Sequence, residues 1–233
     1  MRKVRLMVGM ILLILFVFAG ISQAQIAPFP MINTDELKVG TWVKIRETVE
    51  GKSMDMWFGV VGEEKIDGVK YVWVEVRTTQ GGQKIIVKSL MRMSSKEGVS
   101  DIKKIIVKMG NQPAMEISPN MMSMMGQGIN PFNTPSSQGE EKSNAEIKTI
   151  GNERVSVPAG TFNAKHVRVI EKDGSGVIID MWETKKVPIG IVKVKSSDGA
   201  EMVLLAYGSG AHTEITETPK PFTMPNIMNS NKK

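Results

Sequence analysis

Methionine is the chemistry-bearing residue that stands out in this chain: Met121, Met122, Met124 and Met125 crowd one short stretch, with Met109 and Met115 just upstream. Soft thioethers suit Cu(I), so such a cluster could hold an ion without any cysteine. The same unbranched, adaptable side chains would also make a greasy flap over an apolar pocket, and a stretch with neither role is the third reading. A flap needs only hydrophobicity and flexibility, so a flap is the functional expectation and Cu(I) binding its minor alternative. Trp57, Trp73 and Trp182 are the aromatic candidates for lining the cavity that such a flap would cover. Like Trp42, Tyr71 and Phe58, they lie in strand runs, where core packing is the ordinary use of a large ring.

Catalysis needs positioned acids, bases or nucleophiles, and they are scarce. Of the two histidines, His166 alternates with Ala164 and Arg168, opposite Val167 and Val169, and is expected to face solvent; His212 follows the last strand run. Ser100 and Lys103 have the spacing of a Ser-x-x-Lys nucleophile, but the companion S-D-N and K-T-G elements are missing. H-E-x-x-H, G-x-S-x-G and a phosphate-cradling glycine loop are also missing. Asp55, Glu63, Glu64, Asp180 and Glu183 could pair across strands, yet such charges ordinarily line a wet face. The expectation is therefore a protein that is not an enzyme, with no catalytic residue, no metal ligand and no cofactor. The cysteine count of zero excludes disulfides, thiolate metal sites and a lipidated cysteine.

The elements that would position these residues read as strands. Trp42 to Glu50 sets Val43, Ile45 and Val49 against Lys44, Arg46 and Thr48, the alternation of a half-buried strand. Further runs follow at 54–63, 69–79, 83–93, 103–109 and 114–117, and again at 146–157, 162–171, 177–184, 189–195 and 201–207. Asp67-Gly68 and Gly81-Gly82 predict primed hairpin turns, and Val187-Pro188 predicts a strand start where proline costs no ladder bond. A turn of helix is expected only at Thr34 to Leu37. Residues 118–144 hold Pro119, Pro131 and Pro135 with no period of either kind, and read as a flexible loop or lid.

Residues 1–24 read as a secretory signal peptide: basic Arg2, Lys3 and Arg5, an apolar run from Leu6 to Ile21, and Ser22-Gln23-Ala24 for cleavage. The run falls short of the ~20 residues that cross a bilayer, so no stable membrane insertion is expected after cleavage. The chain has 233 residues, with 30 Lys and Arg against 24 Asp and Glu. Three of the basic residues leave with the signal, so the +6 charge falls to +3. Spread along the chain, that excess is no nucleic-acid footprint. The domain organisation expected is a signal peptide at 1–24, one β domain at 35–212 interrupted by the 118–144 loop, and a disordered tail at 213–233.

Val157-Pro158-Ala159-Gly160-Thr161-Phe162, then Val167 and Val169, Asp180-Met181-Trp182-Glu183 and Val187-Pro188-Ile189-Gly190 carry a resemblance. Over about residues 150–210 the chain resembles exported bacterial β-proteins that share the half-barrel of the LolA/LolB lipoprotein carriers. The resemblance implies a mainly β fold: a single, strongly curved antiparallel sheet wrapped round an apolar cavity, with a lid. It implies a periplasmic carrier or binding protein for an apolar small molecule or lipid. A structural or interaction module of the cell envelope, pairing with envelope proteins through a sheet edge, is the alternative.

Overall fold

The structure, a computed structural model, describes residues 38–94, 98–118, 145–171 and 176–222. The expected signal peptide, the helical turn at 34–37 and the methionines at 121–125 lie outside the described residues. Six strands form a first meander: β1 (Trp42–Val49), β2 (Lys52–Ile66), β3 (Val69–Gln80), β4 (Gln83–Ser94), β5 (Gly98–Met109) and β6 (Met115–Ile117). Five form a second: β7 (Ala145–Val157), β8 (Gly160–Glu171), β9 (Ile178–Glu183), β10 (Ile191–Ser196) and β11 (Glu201–Gly208). A last short strand, β12 (Lys220–Pro221), follows. All twelve join one curved, unclosed sheet in the order β12-β6-β5-β4-β3-β2-β1-β11-β10-β9-β8-β7. Every pairing is antiparallel except β12 on β6. The described residues contain no helix, so the expected fold class is the observed one.

The turns explain the meander. Asp67 and Gly68 have φ of 51° and 78°, and Gly81 and Gly82 have 57° and 76°, the left-handed pair that a primed turn requires. One expected boundary moves. Thr184 N donates to Gly190 O (2.7 Å) and Gly190 N to Val187 O (3.0 Å), closing a turn around Pro188, so β10 starts at Ile191 rather than at Val187-Pro188. Val187 and Ile189 are buried in the main core cluster instead of joining a ladder.

Register sorts the side chains into two faces, because directly paired residues in an antiparallel ladder project the same way. One face is apolar. On it lie Val60, Val72, Val74 and Met91, the cluster of Ile85, Ile105, Val107, Met109 and Ile117, and the group of Val43, Ile45, Met202 and Leu204. The β7–β8 hairpin tip folds over this face: Ala159 N donates to Leu204 O (3.2 Å), and Phe162 and Ala164 pack with Val43, Ile45 and Leu204. The other face is polar, carrying Lys44, Arg46, Asp55, Glu75, Arg77 and Lys88 on β1 to β4.

The chain after β11 crosses the polar face as a strap, where the sequence suggests an unstructured tail from 213. Residues 213–222 are held by specific partners. Thr213 Oγ1 donates to Glu75 Oε2 (2.5 Å) and Glu214 N to Glu75 Oε1 (3.1 Å), while Arg77 Nε donates to the same oxygen (2.7 Å). Glu214 pairs with Arg77 (2.9 Å) and Lys84, and Glu217 with Lys108 (2.7 Å). Ile215 is buried against Ile86, Ile106, Ala114 and Trp73. Its apolar contact was hidden in the sequence because it stands alone among Thr and Glu residues.

Glu75 is fully buried, so its three donors are what make its burial tolerable. Glu75→Leu is expected to lose on the order of 3 kcal/mol, because Arg77 then loses its buried carboxylate and keeps only Glu214 and the His212 carbonyl. Urea unfolding would read the loss, and limited proteolysis should show cleavage near residue 213 before global unfolding. Unchanged midpoints would mean that the strap contributes nothing.

Candidate functional site

The candidate site is the apolar face where the two meanders meet. Six consecutive strands place one residue each in a row across it: Met54 on β2, Glu47 on β1, Met202 on β11, Val194 on β10, Met181 on β9 and Val167 on β8. The next row runs Met56, Ile45 and Leu204. Ile45 and Leu204 are fully buried, while Met54, Met56, Phe58, Val76 and Val87 on the same face are only half-buried. Accessible thioether, aromatic and branched side chains on one continuous surface can hold an apolar body by area alone, at about 25 cal/mol per Å² removed from water.

Glu47 interrupts this surface. It is 9% exposed, the one charged residue buried on the apolar face among the described residues. Neither a hydrogen bond nor an ion pair reaches it among the described residues, and burial pushes its carboxyl above the usual carboxylate range. Alternation in β1 carried the signal: Glu47 occupies the step between Ile45 and Val49, where an apolar residue belongs. Glu183, half-buried on β9 at the same face by register, is also raised by burial, against the pull of Lys165 at 3.9 Å.

The three expected cavity tryptophans lie elsewhere. Register sets Trp57, Trp73 and Trp182 on the polar face, with cations beside them. Arg77 sits 3.7 Å over the Trp57 ring, whose other neighbour is Trp42, stacked at 6.4 Å. Gly59 makes room for that ring, since a Cβ there would come within 2.2 Å of it. Lys88 lies 4.8 Å over Trp73 and Lys193 lies 5.7 Å over Trp182. Trp57 on β2 pairs with Arg77 and Trp73 on β3 with Gly62, so the two share a face without meeting, while Trp182 sits apart on β9. These half-buried rings gain from the cations beside them, while Trp73 also packs against the Ile86, Ile106 and Ile215 cluster and Trp182 against the main core cluster.

His166 is the second correction. Expected to face solvent, it is 9% exposed, stacked on Trp182 at 4.6 Å between ring centroids, with Nε2 2.7 Å from Asp180 Oδ1 and Nδ1 3.1 Å from Glu153 Oε1. Arg168 Nε also donates to Asp180 (2.8 Å), and chiefly this bond holds the Asp180 carboxyl below its ordinary value. Asp55 is likewise held low by the Arg46 fork at 2.7 and 3.1 Å. Asp101 engages Lys103 (2.9 Å) and Tyr71 (2.7 Å), so the lysine of the Ser-x-x-Lys spacing is already paired.

A carboxyl lowered by folding contributes stability above its unfolded value that is lost as pH falls through the folded value. Asp180→Asn is therefore expected to cost about 1–3 kcal/mol at pH 7 and progressively less on acidification. Denaturant midpoints of both proteins across that range check the sign; a cost that stays constant with pH would contradict it.

No family model matches the chain, and no curated protein matches it. Among solved structures it is similar to a protein with a YmcC-like fold from Bacteroides fragilis, at 15% identity and a TM-score of 0.37, over 74% of this chain and 97% of that one. It is also similar to the MucA/MucB complex of Pseudomonas aeruginosa, at 10% and 0.42 over 78% of this chain and 56% of the matched one. A third is a DUF1329 family protein from Desulfovibrio piger, at 11% and 0.28 over 81% and 92%. At these values the likenesses carry no argument about what this chain does.

Proposed function

We propose that the protein is a non-catalytic carrier or binding protein of the bacterial cell envelope that holds an apolar, lipid-like ligand against the apolar face of its sheet. The observation that supports this reading is the continuous patch of Met54, Met56, Phe58, Val76 and Val87, half-buried on the apolar face beside the fully buried Val43 and Ile45. Patches of this kind on a folded domain mark interaction surfaces. The basic start, apolar run and small-residue site at 1–24 support export. The engaged state of His166 and Lys103 supports a role without catalysis.

The direct test is native mass spectrometry of the protein purified from a bacterial envelope, with displacement of a fluorescent apolar probe as the second readout. A bound lipid-sized mass is expected, and Phe58→Asp should weaken probe binding at least tenfold by placing a charge on the patch. A clean apo mass together with no saturable probe binding would sink the carrier reading.

One observation favours the second reading, an envelope-protein partner bound along a sheet edge. β7 ends the sheet, is thirteen residues long, and exposes Ile147 (70%) and Ile150 (52%). Long edges with exposed apolar residues are what added strands pair with. Ile147→Lys with Ile150→Lys should abolish capture of such a partner in envelope cross-linking and leave probe binding unchanged. Loss of the probe instead would place the two surfaces in one site.

A further inference from the structure

Glu47 carries chemistry that the carrier reading does not use. A carboxyl nine-tenths buried on an apolar face, flanked in register by Met54 and Met202 and touched by no donor among the described residues, is a costly thing to keep. Its surroundings decide what could satisfy it. The charged side chains that register places on this face of the packed strands are Lys52 on β2, the exposed Glu63 and Lys65 at the far end of β2 with Lys70 of β3, and the Lys165–Glu183 pair on β8 and β9. Lys52 is exposed beside the β1–β2 turn, and Lys165 is engaged by Glu183. Lys44, Arg46, Thr48, Asp55 and Glu201 around it on β1, β2 and β11 belong to the opposite face by register. The site thus offers an apolar bed with one anionic acceptor and no buried cation beside it.

We propose that the ligand held on the apolar face is an amphiphile whose polar end is a protonated amine, seated against the Glu47 carboxylate with its hydrocarbon along the half-buried Met54, Met56 and Phe58. The inference rests on the carrier reading and names its ligand class. An ammonium group donates charge-assisted hydrogen bonds to the carboxylate, which are shorter and roughly twice as strong as neutral ones, and the low dielectric around the pair strengthens it further. A carboxylate-headed chain such as a fatty acid would meet a like charge with no buried cation beside it among the described residues. A neutral alcohol would gain the apolar area without the ion pair.

The test uses the purified chain and three probes of one chain length: dodecylamine, dodecanol and dodecanoate, each below its micelle concentration, in displacement of a fluorescent apolar probe. At neutral pH dodecylamine should bind at least tenfold tighter than dodecanol, with dodecanoate weakest. In Glu47→Gln the preference of amine over alcohol should vanish, and a cooperative urea transition shows that the variant is folded. Glu47→Leu should behave alike and unfold at higher urea concentration. In the wild type the preference should fade as pH falls, because the carboxyl protonates while the amine stays charged, a readout that needs no variant. Dodecanol binding with no amine preference, a preference that survives both substitutions, or dodecanoate binding tightest would each overturn the inference and leave the carrier reading standing. Failure of all three probes to bind the wild type would overturn both.

Discussion

The pairing of β1 with β11 is the constraint on which the molecule depends. Each meander is locally wired through tight turns, but the two become one sheet only where Trp42 faces Gly208, Val43 faces Tyr207 and, beyond a bulge, Ile45 faces Leu204. These partners are about 160 residues apart in sequence, so closing the seam carries a loop-closure cost that local hairpins do not. Apolar burial opposes that cost: Val43, Ile45, Met202 and Leu204 all lie at the seam and all are buried in the main cluster. The bulge is part of the solution. Leu205 is the extra residue, and skipping it keeps Leu204 and Met202 on the apolar side together with Ile45 and Glu47.

The polar face shows how a single sheet manages without a helical layer. Part of it is covered by the strap, whose Glu214 and Glu217 meet Arg77, Lys84 and Lys108 while Ile215 fills the space between. Another part is covered by its own aromatic rings lying flat. Trp57 over Gly59, Arg77 over Trp57 and Trp42 over Gly208 form a continuous ladder across β11, β1, β2 and β3. A flat indole needs a residue without a side chain beneath it, so Gly59 and Gly208 act here as packing residues. The guanidinium on Trp57 keeps its donors free for Glu75 and Glu214, which ties the ladder to the strap.

The fold was legible because hairpin sheets are encoded locally. Turn dipeptides such as Asp67-Gly68 and Gly81-Gly82 fix register, and alternation in β1 fixes the face, so strands and their order within each meander follow from neighbouring residues. What was not legible comes from pairings distant in sequence. Pro188 and Gly190 start a strand on local rules, yet burial of Val187 and Ile189 in the main cluster makes them a turn. His166 alternates like a surface residue and is covered by Trp182 and bonded to Glu153, partners that only the sheet brings near. The strap has no strand signal because its partners are the cations of β3, β4 and β5. The tryptophans show the same limit: alternation tells which residues share a face, while the cations beside Trp57, Trp73 and Trp182 come from neighbouring strands.

Glu47 joins these threads, since it sits on the seam itself, between Met54 and Met202. Its carboxyl is raised above its ordinary value by burial, so its contribution to stability is fully present below the unfolded value and is lost as pH rises through the folded one. The seam therefore weakens as pH rises and the buried carboxyl gives up its proton. A cationic group arriving from the apolar side reverses that sign, because the ionised form then becomes the favoured one. On the proposed reading, binding and closure of the two meanders would be coupled through one side chain, because a group that neutralises Glu47 would also tighten the β1–β11 ladder. A leucine at this position would make a stronger seam and would remove the coupling.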